Sequence, residues 1–228
     1  MIEPFVHDVN FPAPIAVLGF LAGMAGLVLS TLAVLTFVFV GKREWVRRVG
    51  ALVGAGAVVY FGLLLALSLA SREVTLPPGQ EKYFCEIDCH LAYSVVAGRE
   101  ERAGSQRQLH VILRTRFDEN TISPQRPKEA PLTPNPRRVV LLDGAGRAFD
   151  PVSTLGNPLT RSLIPGQTYE TEFVFRLPAD SGSLRMLVTS SGWEEHLLIG
   201  DENSFGHKKT YLAVPSADLA RVGRDLRD

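Results

Sequence analysis

Net charge is the first thing this sequence lacks. Its 24 basic and 24 acidic side chains sum to a formal zero. A nucleic-acid surface needs a basic stripe, so no nucleic-acid partner is expected. Cysteine is scarce: Cys85 and Cys89 are the whole supply. Neither stands in a lipobox-like position, so no lipid anchor is expected. Catalytic signatures are missing as well. There is no Gly-x-Ser-x-Gly, no His-Glu-x-x-His and no phosphate-binding glycine loop. The run Ser190 to His196 holds Ser, Glu and His, but closeness along the chain is not triad geometry. The expectation is a protein that is not an enzyme.

Charge is also missing locally. Pro14 to Val40 contains no charged residue, and neither does Val49 to Ala70. About 20 apolar residues cross a hydrocarbon core, so each run is long enough to span with some tilt. With no Asp, Glu, Lys, Arg or His inside either run, an ion pathway or proton relay has nothing to work with. A transporter or channel is therefore not expected. Between the runs lies Gly41-Lys-Arg-Glu-Trp-Val-Arg-Arg48, which carries Lys42, Arg43, Arg47 and Arg48 against Glu44. Short basic loops stay cytoplasmic, and Trp45 suits the headgroup level. The expected protein is a two-pass protein of a bacterial inner (cytoplasmic) membrane, with both termini on the periplasmic side. Basic residues, an apolar run and Ser68-Leu-Ala70 also resemble a signal peptide. The run exceeds an h-region of about 7–15 residues and a complete span precedes it, so cleavage is not expected.

Small residues recur at intervals of four: Gly19 and Gly23, Gly50 and Gly54, Ala51 and Ala55. This spacing lets helix backbones approach closely where lipid supplies no hydrophobic drive. One reading packs the two spans on each other as a hairpin, and the spacing favours it. The other docks them against helices of a larger complex.

After a linker over residues 71–80 the pattern changes to alternation. In Tyr83 to Val95 the odd positions are Tyr83, Cys85, Ile87, Cys89, Leu91, Tyr93 and Val95, and the even ones include Glu86, Asp88, His90 and Ser94. Such alternation puts one face on a core and one in water. Leu109, Val111, Leu113 and Phe117 repeat it, as do Tyr169, Thr171, Phe173, Phe175 and Leu177. Asp143-Gly144 with Gly146 signals a hairpin. Proline-rich 120–136 and residues 151–166 read as loops. Leu184 to Thr189 and Lys209 to Val214 complete about seven strands. Residues 215–228 form a tail that reads either as a short polar helix capped by Ser216 or as disordered. Leu76-Pro-Pro-Gly-Gln80 and Leu163-Ile-Pro-Gly-Gln167 each precede a long strand, with Pro-Gly supplying a turn. Short strands with such turns predict an antiparallel β-sandwich over 81–214, outside the membrane.

The two Leu-x-Pro-Gly-Gln turns, the Leu-Leu-Asp-Gly-Ala-Gly-Arg-Ala-Phe hairpin and Phe-Val-Phe-Arg-Leu-Pro-Ala-Asp together resemble a family. It comprises the immunoglobulin-like β-sandwich domains of bacterial lipoproteins and membrane-anchored proteins, a family without an assigned function. The resemblance runs from Val74 to Val214. It implies an immunoglobulin-like fold and an extracytoplasmic setting, and it carries over no site residues.

Cys85, Cys89 and His90 pose the one chemical question. Two small apolar residues on the inner face of a strand fit the alternation directly. A disulfide suits an oxidising compartment. In an extended strand, however, residues four apart are separated by roughly 13 Å, against less than about 7 Å for a bridge. A c-type haem needs Cys-x-x-Cys-His, and Cys85-Glu-Ile-Asp-Cys-His90 has one residue too many. His90 would then be the proximal ligand, with Met186 or His207 as the second. Two helices followed by a β domain also resemble the haem-copper oxidase subunit that carries a two-copper centre. There two cysteines are likewise separated by three residues, but here they open the domain and His90 adjoins Cys89. Thiolate and imidazole suit copper or zinc. His110 and His196 read as solvated or hydrogen-bonded.

The leading expectation is a non-enzymatic accessory subunit without a cofactor. Its hairpin docks in lipid to a larger integral membrane protein complex, of respiratory or photosynthetic type, whose periplasmic face the sandwich braces. One alternative is an electron-transfer subunit with haem or copper at Cys85, Cys89 and His90. Another is a periplasmic ligand- or envelope-binding module.

Overall fold

A computed structural model describes residues 6–85, 90–103, 106–190 and 192–215. The chain divides into two compact units. One comprises Met1–Asp8, Glu73–Gly192 and Lys209–Asp228, the other Val9–Arg72 and Trp193–Lys208.

In the first unit, strand β1 (Val6–His7) precedes the helices. β2 (Val74–Leu76), β3 (Lys82–Phe84), β4 (Leu91–Ala103), β5 (Gln106–Phe117), β6 (Arg137–Asp143), β7 (Ala148–Phe149), β8 (Ser153–Gly156), β9 (Thr168–Leu177), β10 (Leu184–Ser190) and β11 (Thr210–Ala213) follow them. One sheet runs β1-β3-β4-β5-β9-β8 and the other β2-β11-β10-β6-β7. Neighbours are antiparallel except β1 beside β3 and β2 beside β11. Both parallel pairs bring a short strand to a sheet edge. The two sheets share one core, in which Tyr93, Val111, Leu113, Phe117, Phe173 and Phe175 from the first meet Val139, Leu141, Met186, Val188 and Leu212 from the second. The predicted all-β layer pair is therefore present, with parallel edges that alternation could not reveal. Strand β2 lies inside the stretch read as linker, and β8 inside a stretch read as loop.

The alternating faces of β5 and β9 fall as expected. Leu109, Val111, Leu113 and Phe117 are buried, and so are Tyr169, Thr171, Phe173, Phe175 and Leu177. The Asp143 turn forms between β6 and β7, with Asp143 Oδ1 accepting from the amides of Ala145 and Arg147. The two Pro-Gly-Gln segments prove to be the same turn. Gly79 and Gly166 both have φ +83°. Gln80 donates to the Pro77 carbonyl as Gln167 does to that of Ile164. Proline then glycine at the two central positions, with φ positive at the second, is a type II turn.

The expected long strand from Tyr83 to Val95 is two strands. β3 and β4 are antiparallel, with Lys82 opposite Tyr93 and Phe84 opposite Leu91. The chain therefore reverses between Phe84 and Leu91. Lys82 and Phe84 share the inner face with Leu91 and Tyr93. Lys82 has no exposed surface. Its Nζ donates to the carbonyls of Val188 on β10 (2.9 Å) and Thr210 on β11 (3.2 Å), and lies 4.7 Å from the centre of the Phe84 ring. An ammonium group is tolerated in a core only when its donors are met, and here the partners belong to the opposite sheet.

In the second unit, α1 (Ala13–Phe39) and α2 (Arg43–Ala70) are joined by Val40 to Lys42, with Gly41 at φ +72°. Both are long and apolar enough to cross a membrane, and little of either is buried. α2 starts earlier than expected, so Arg43, Arg47 and Arg48 occupy its first turns instead of a loop. Trp45 stacks on Phe37 of α1 at 5.6 Å, and Arg48 lies over the Trp45 ring at 5.3 Å. Thr31 and Thr36 return their hydroxyls to the carbonyls four residues back, at 2.8 Å each, which removes unpaired donors from an apolar surround. Residues 216–228, including the proposed Ser216 cap, lie outside the described residues.

Replacing Lys82 by Met should leave the two carbonyls short of a donor and cost about 1–3 kcal/mol. Urea unfolding of the detergent-solubilised chain, followed by near-ultraviolet circular dichroism, measures that cost.

Candidate functional site

The reversal at Phe84–Leu91 carries the residues singled out in the sequence. Cys85 is disulfide-bonded, and no cysteine is free among the described residues. The chain has one other cysteine, Cys89, which lies outside the described residues. Cys85 is therefore not a buried thiol on a strand face. The separation argument against a bridge also loses its premise, because Phe84 and Leu91 face each other on antiparallel strands and do not continue a single strand. Strand β1 fastens the same corner. Asp8 accepts from the Cys85 amide at 3.0 Å, and the His7 Nδ1 lies 3.2 Å from Cys85 Sγ.

His90 is buried, not on a solvent face as alternation suggested. Its ring stacks on Phe117 at 5.6 Å, its Nδ1 lies 2.7 Å from the Thr121 hydroxyl, and its carbonyl accepts from the Asp118 amide at 2.9 Å. Met186 is wholly buried in the core. His110 meets Glu172 at 2.6 Å, His196 meets the Asn203 carbonyl at 2.6 Å, and His207 meets that of Lys208 at 2.7 Å. Among the described residues no three His, Cys, Asp or Glu side chains gather where they could hold a metal ion.

A polar network that the sequence reading missed sits beside the reversal. Arg116, at the end of β5, donates to both carboxylate oxygens of Glu81, at 2.7 Å each, and to Asp118 at 3.0 Å. The Tyr83 hydroxyl donates to Asp118 at 2.6 Å, and Asp118 also accepts from the amide and side chain of Asn120. Burial pushes the Tyr83 phenol above its ordinary value, and the adjoining carboxylates add to that. Burial works to raise the Asp118 carboxyl too. The hydrogen bonds from Tyr83, Arg116 and Asn120 outweigh it and hold the group at about 2. Phenol, carboxylate and guanidinium are bonded to one another. The network clamps the corner. The sequence signal was the Arg116-Phe-Asp118 run, a charge pair closing a strand otherwise read as finished.

The small residues of the helices behave differently from the favoured hairpin packing. A Cβ added at Gly19, Gly23, Gly50 or Gly54 would meet nothing within 4 Å, and Ala51 and Ala55 are exposed. None of these glycines is a point of close approach within this chain. Buried side chains of the pair are Ala13 and Ala16 on α1 and Leu64 and Ser68 on α2. Further along, the helices leave an open cleft of about 340 Å³, lined by Phe20, Gly23, Gly26, Gly56, Ala57 and Tyr60 among others.

No family model matches this chain, and no curated protein matches it. Among solved structures it is similar to MPT63, a secreted protein from Mycobacterium tuberculosis. The identity is 9% and the TM-score 0.40, over 62% of this chain and 98% of that one.

Two outcomes follow. Thiol titration of the denatured chain should find no free thiol before reduction and both cysteines after it. Stability should also depend on acid. Asp118 has a folded value below its ordinary 3.8, so its contribution is complete above that value and is lost as pH falls through about 2. Unfolding midpoints of the wild type should drop across that interval more steeply than those of Asp118→Asn.

Proposed function

We propose that this chain is a non-enzymatic accessory subunit of a larger membrane complex, held in it by α1 and α2. The observation that carries the reading is the cleft between the helices. A self-sufficient hairpin would bring its small residues together. This pair instead leaves Gly23, Gly26 and Gly56 with nothing within 4 Å of where a Cβ would be. A side chain from a neighbouring protein helix completes such a surface by van der Waals packing, the principal attraction between helices in lipid.

The β unit then braces the non-cytoplasmic face of the complex. Two features favour that side. Lys42, Arg43, Arg47 and Arg48 cluster at the connection between the spans, the cytoplasmic mark under the positive-inside rule. Cys85 is a half-cystine, and disulfides persist in oxidising compartments. Both termini are accordingly periplasmic. The strand orders β4-β5-β9-β8 and β11-β10-β6-β7 favour an immunoglobulin-like sandwich, whose two sheets run ABED and CFG. An electron-transfer role at this corner would require the bond at Cys85 to be reduced first, because a half-cystine offers neither thiolate to copper nor thiol to haem.

Native membranes solubilised in mild detergent and run on a non-denaturing gel test the proposal. The wild type should co-migrate with larger partners. Gly56→Leu, which has room for its side chain but fills the cleft, should shift most of the chain to monomer without lowering its amount in the membrane. A wild-type chain that runs only as monomer sinks the reading.

A further inference from the structure

Residues Trp193–Lys208 interrupt the β unit between β10 and β11 yet belong to the compact unit of the helices. Their burial is inverted relative to a loop in water. Asp201, Glu202, Asn203 and Ser204 are buried, at 6%, 1%, 8% and 4% exposure, whereas Trp193 and Phe205 are 68% and 58% exposed. The polar groups are also met from within. Asn203 donates from its amide to Asp201 and from its side chain to Glu195, the Ser204 hydroxyl donates to the Leu198 carbonyl, and His196 stacks on Phe205. A loop that satisfies its own polar groups and turns its aromatic rings outward suits a surround of low polarity.

Its attachment fixes the depth. The Tyr60 hydroxyl donates to the Leu197 carbonyl at 2.7 Å, and Leu197 is among the residues that line the cleft between the helices. Gly200 has φ +78°, and a Cβ there would lie 2.4 Å from that of Phe11 and 2.8 Å from Asn10 Oδ1. The Asn10 amide donates to the Gly200 carbonyl, and its side chain donates to the Leu67 carbonyl at the outer end of α2. At 1.5 Å per residue, Tyr60 stands about 22 Å above Trp45 along the helix. A hydrocarbon core of about 30 Å counted from Trp45 ends near Leu65. The loop held by Tyr60, Leu67 and Asn10 therefore reaches the outer boundary of the core.

We infer that residues 193–208 form an interfacial anchor, with Trp193 and Phe205 seated in the headgroup layer of the outer leaflet. The occupant is the lipid surface itself, continuous with the lipid around α1 and α2. Indole rings collect at that depth in membrane proteins. The inference rests on the reading that the helices span the bilayer.

The chain has two tryptophans, which separates the inference from its premise. In phosphatidylcholine vesicles, the full chain with Trp45→Phe reports from Trp193 alone, and with Trp193→Phe from Trp45 alone. Lipid brominated near the headgroup end of its acyl chains should remove about half of the Trp193 emission, and lipid brominated near the methyl ends should remove less. Aqueous iodide should have little effect. Gly200→Ala, which spoils the seat on Phe11, should reduce the bromine quenching of Trp193 and leave that of Trp45 unchanged. Trp193 quenched by iodide and untouched by bromine, with Trp45 still quenched by bromine, overturns the anchor and leaves the spans intact. Loss of bromine quenching at both tryptophans overturns the spans, and the anchor with them. Undiminished quenching of Trp193 in Gly200→Ala overturns the assigned seat.

Discussion

The exposed apolar surface of α1 and α2 sets the terms for the rest of the chain. Leu18, Val28, Leu29, Leu52, Val58 and Val59 all have more than half of their surface uncovered. Water disfavours such a surface by roughly 25 cal/mol per Å², and no core in this chain takes it up. On the proposed reading lipid takes it up, and lipid imposes two further demands. Polar groups must be met internally, as the Thr31 and Thr36 hydroxyls are. Attraction between helices must then come from packing and hydrogen bonds. This pair meets the first demand at Thr31 and Thr36 and leaves the second partly open, at a cleft where a Cβ added to Gly23, Gly26 or Gly56 would meet nothing within 4 Å.

The β unit answers a different problem, which is to hold the first short strands of a sandwich against its edges. Strand β3 has three residues. It is secured from three directions: through Lys82 to the opposite sheet, through Tyr83 to Asp118 and Arg116, and through the half-cystine that follows it. β1 then adds to its edge in parallel. These groups are engaged with one another. The corner is best understood as a fastening.

How much of this was legible depends on what alternation can carry. β5 and β9 are long, half-buried and paired on both sides, so their inner faces could be read residue by residue. The reversal at Phe84–Leu91 could not. Facing residues there pair as Lys82 with Tyr93 and Phe84 with Leu91, so the inner face is even-numbered on one arm and odd-numbered on the other. A single alternating run conceals that change of phase. It took Tyr83, which is buried, for the inner face and left Lys82, buried as well, among the solvent positions, because composition alone would never send a lysine inward. The expected strand geometry then argued against the disulfide that Cys85 does make. The four-residue spacing of glycines favoured packing of the two spans on each other, but a Cβ added at Gly19, Gly23, Gly50 or Gly54 would meet nothing within 4 Å. The loop at 193–208 escaped notice because its membership in the helix unit depends on contacts at Tyr60, Asn10 and Leu67, far from it in sequence.

The central claim is that the helices cross a bilayer with residues 193–208 on the outer side and the basic turn within. Single-cysteine labelling tests it most directly, because the native cysteine at 85 is already bonded. In intact spheroplasts a membrane-impermeant maleimide should label Lys208→Cys at once, and Lys42→Cys only after permeabilisation. Labelling of Lys42→Cys in intact cells, or protection of Lys208→Cys, would contradict the account.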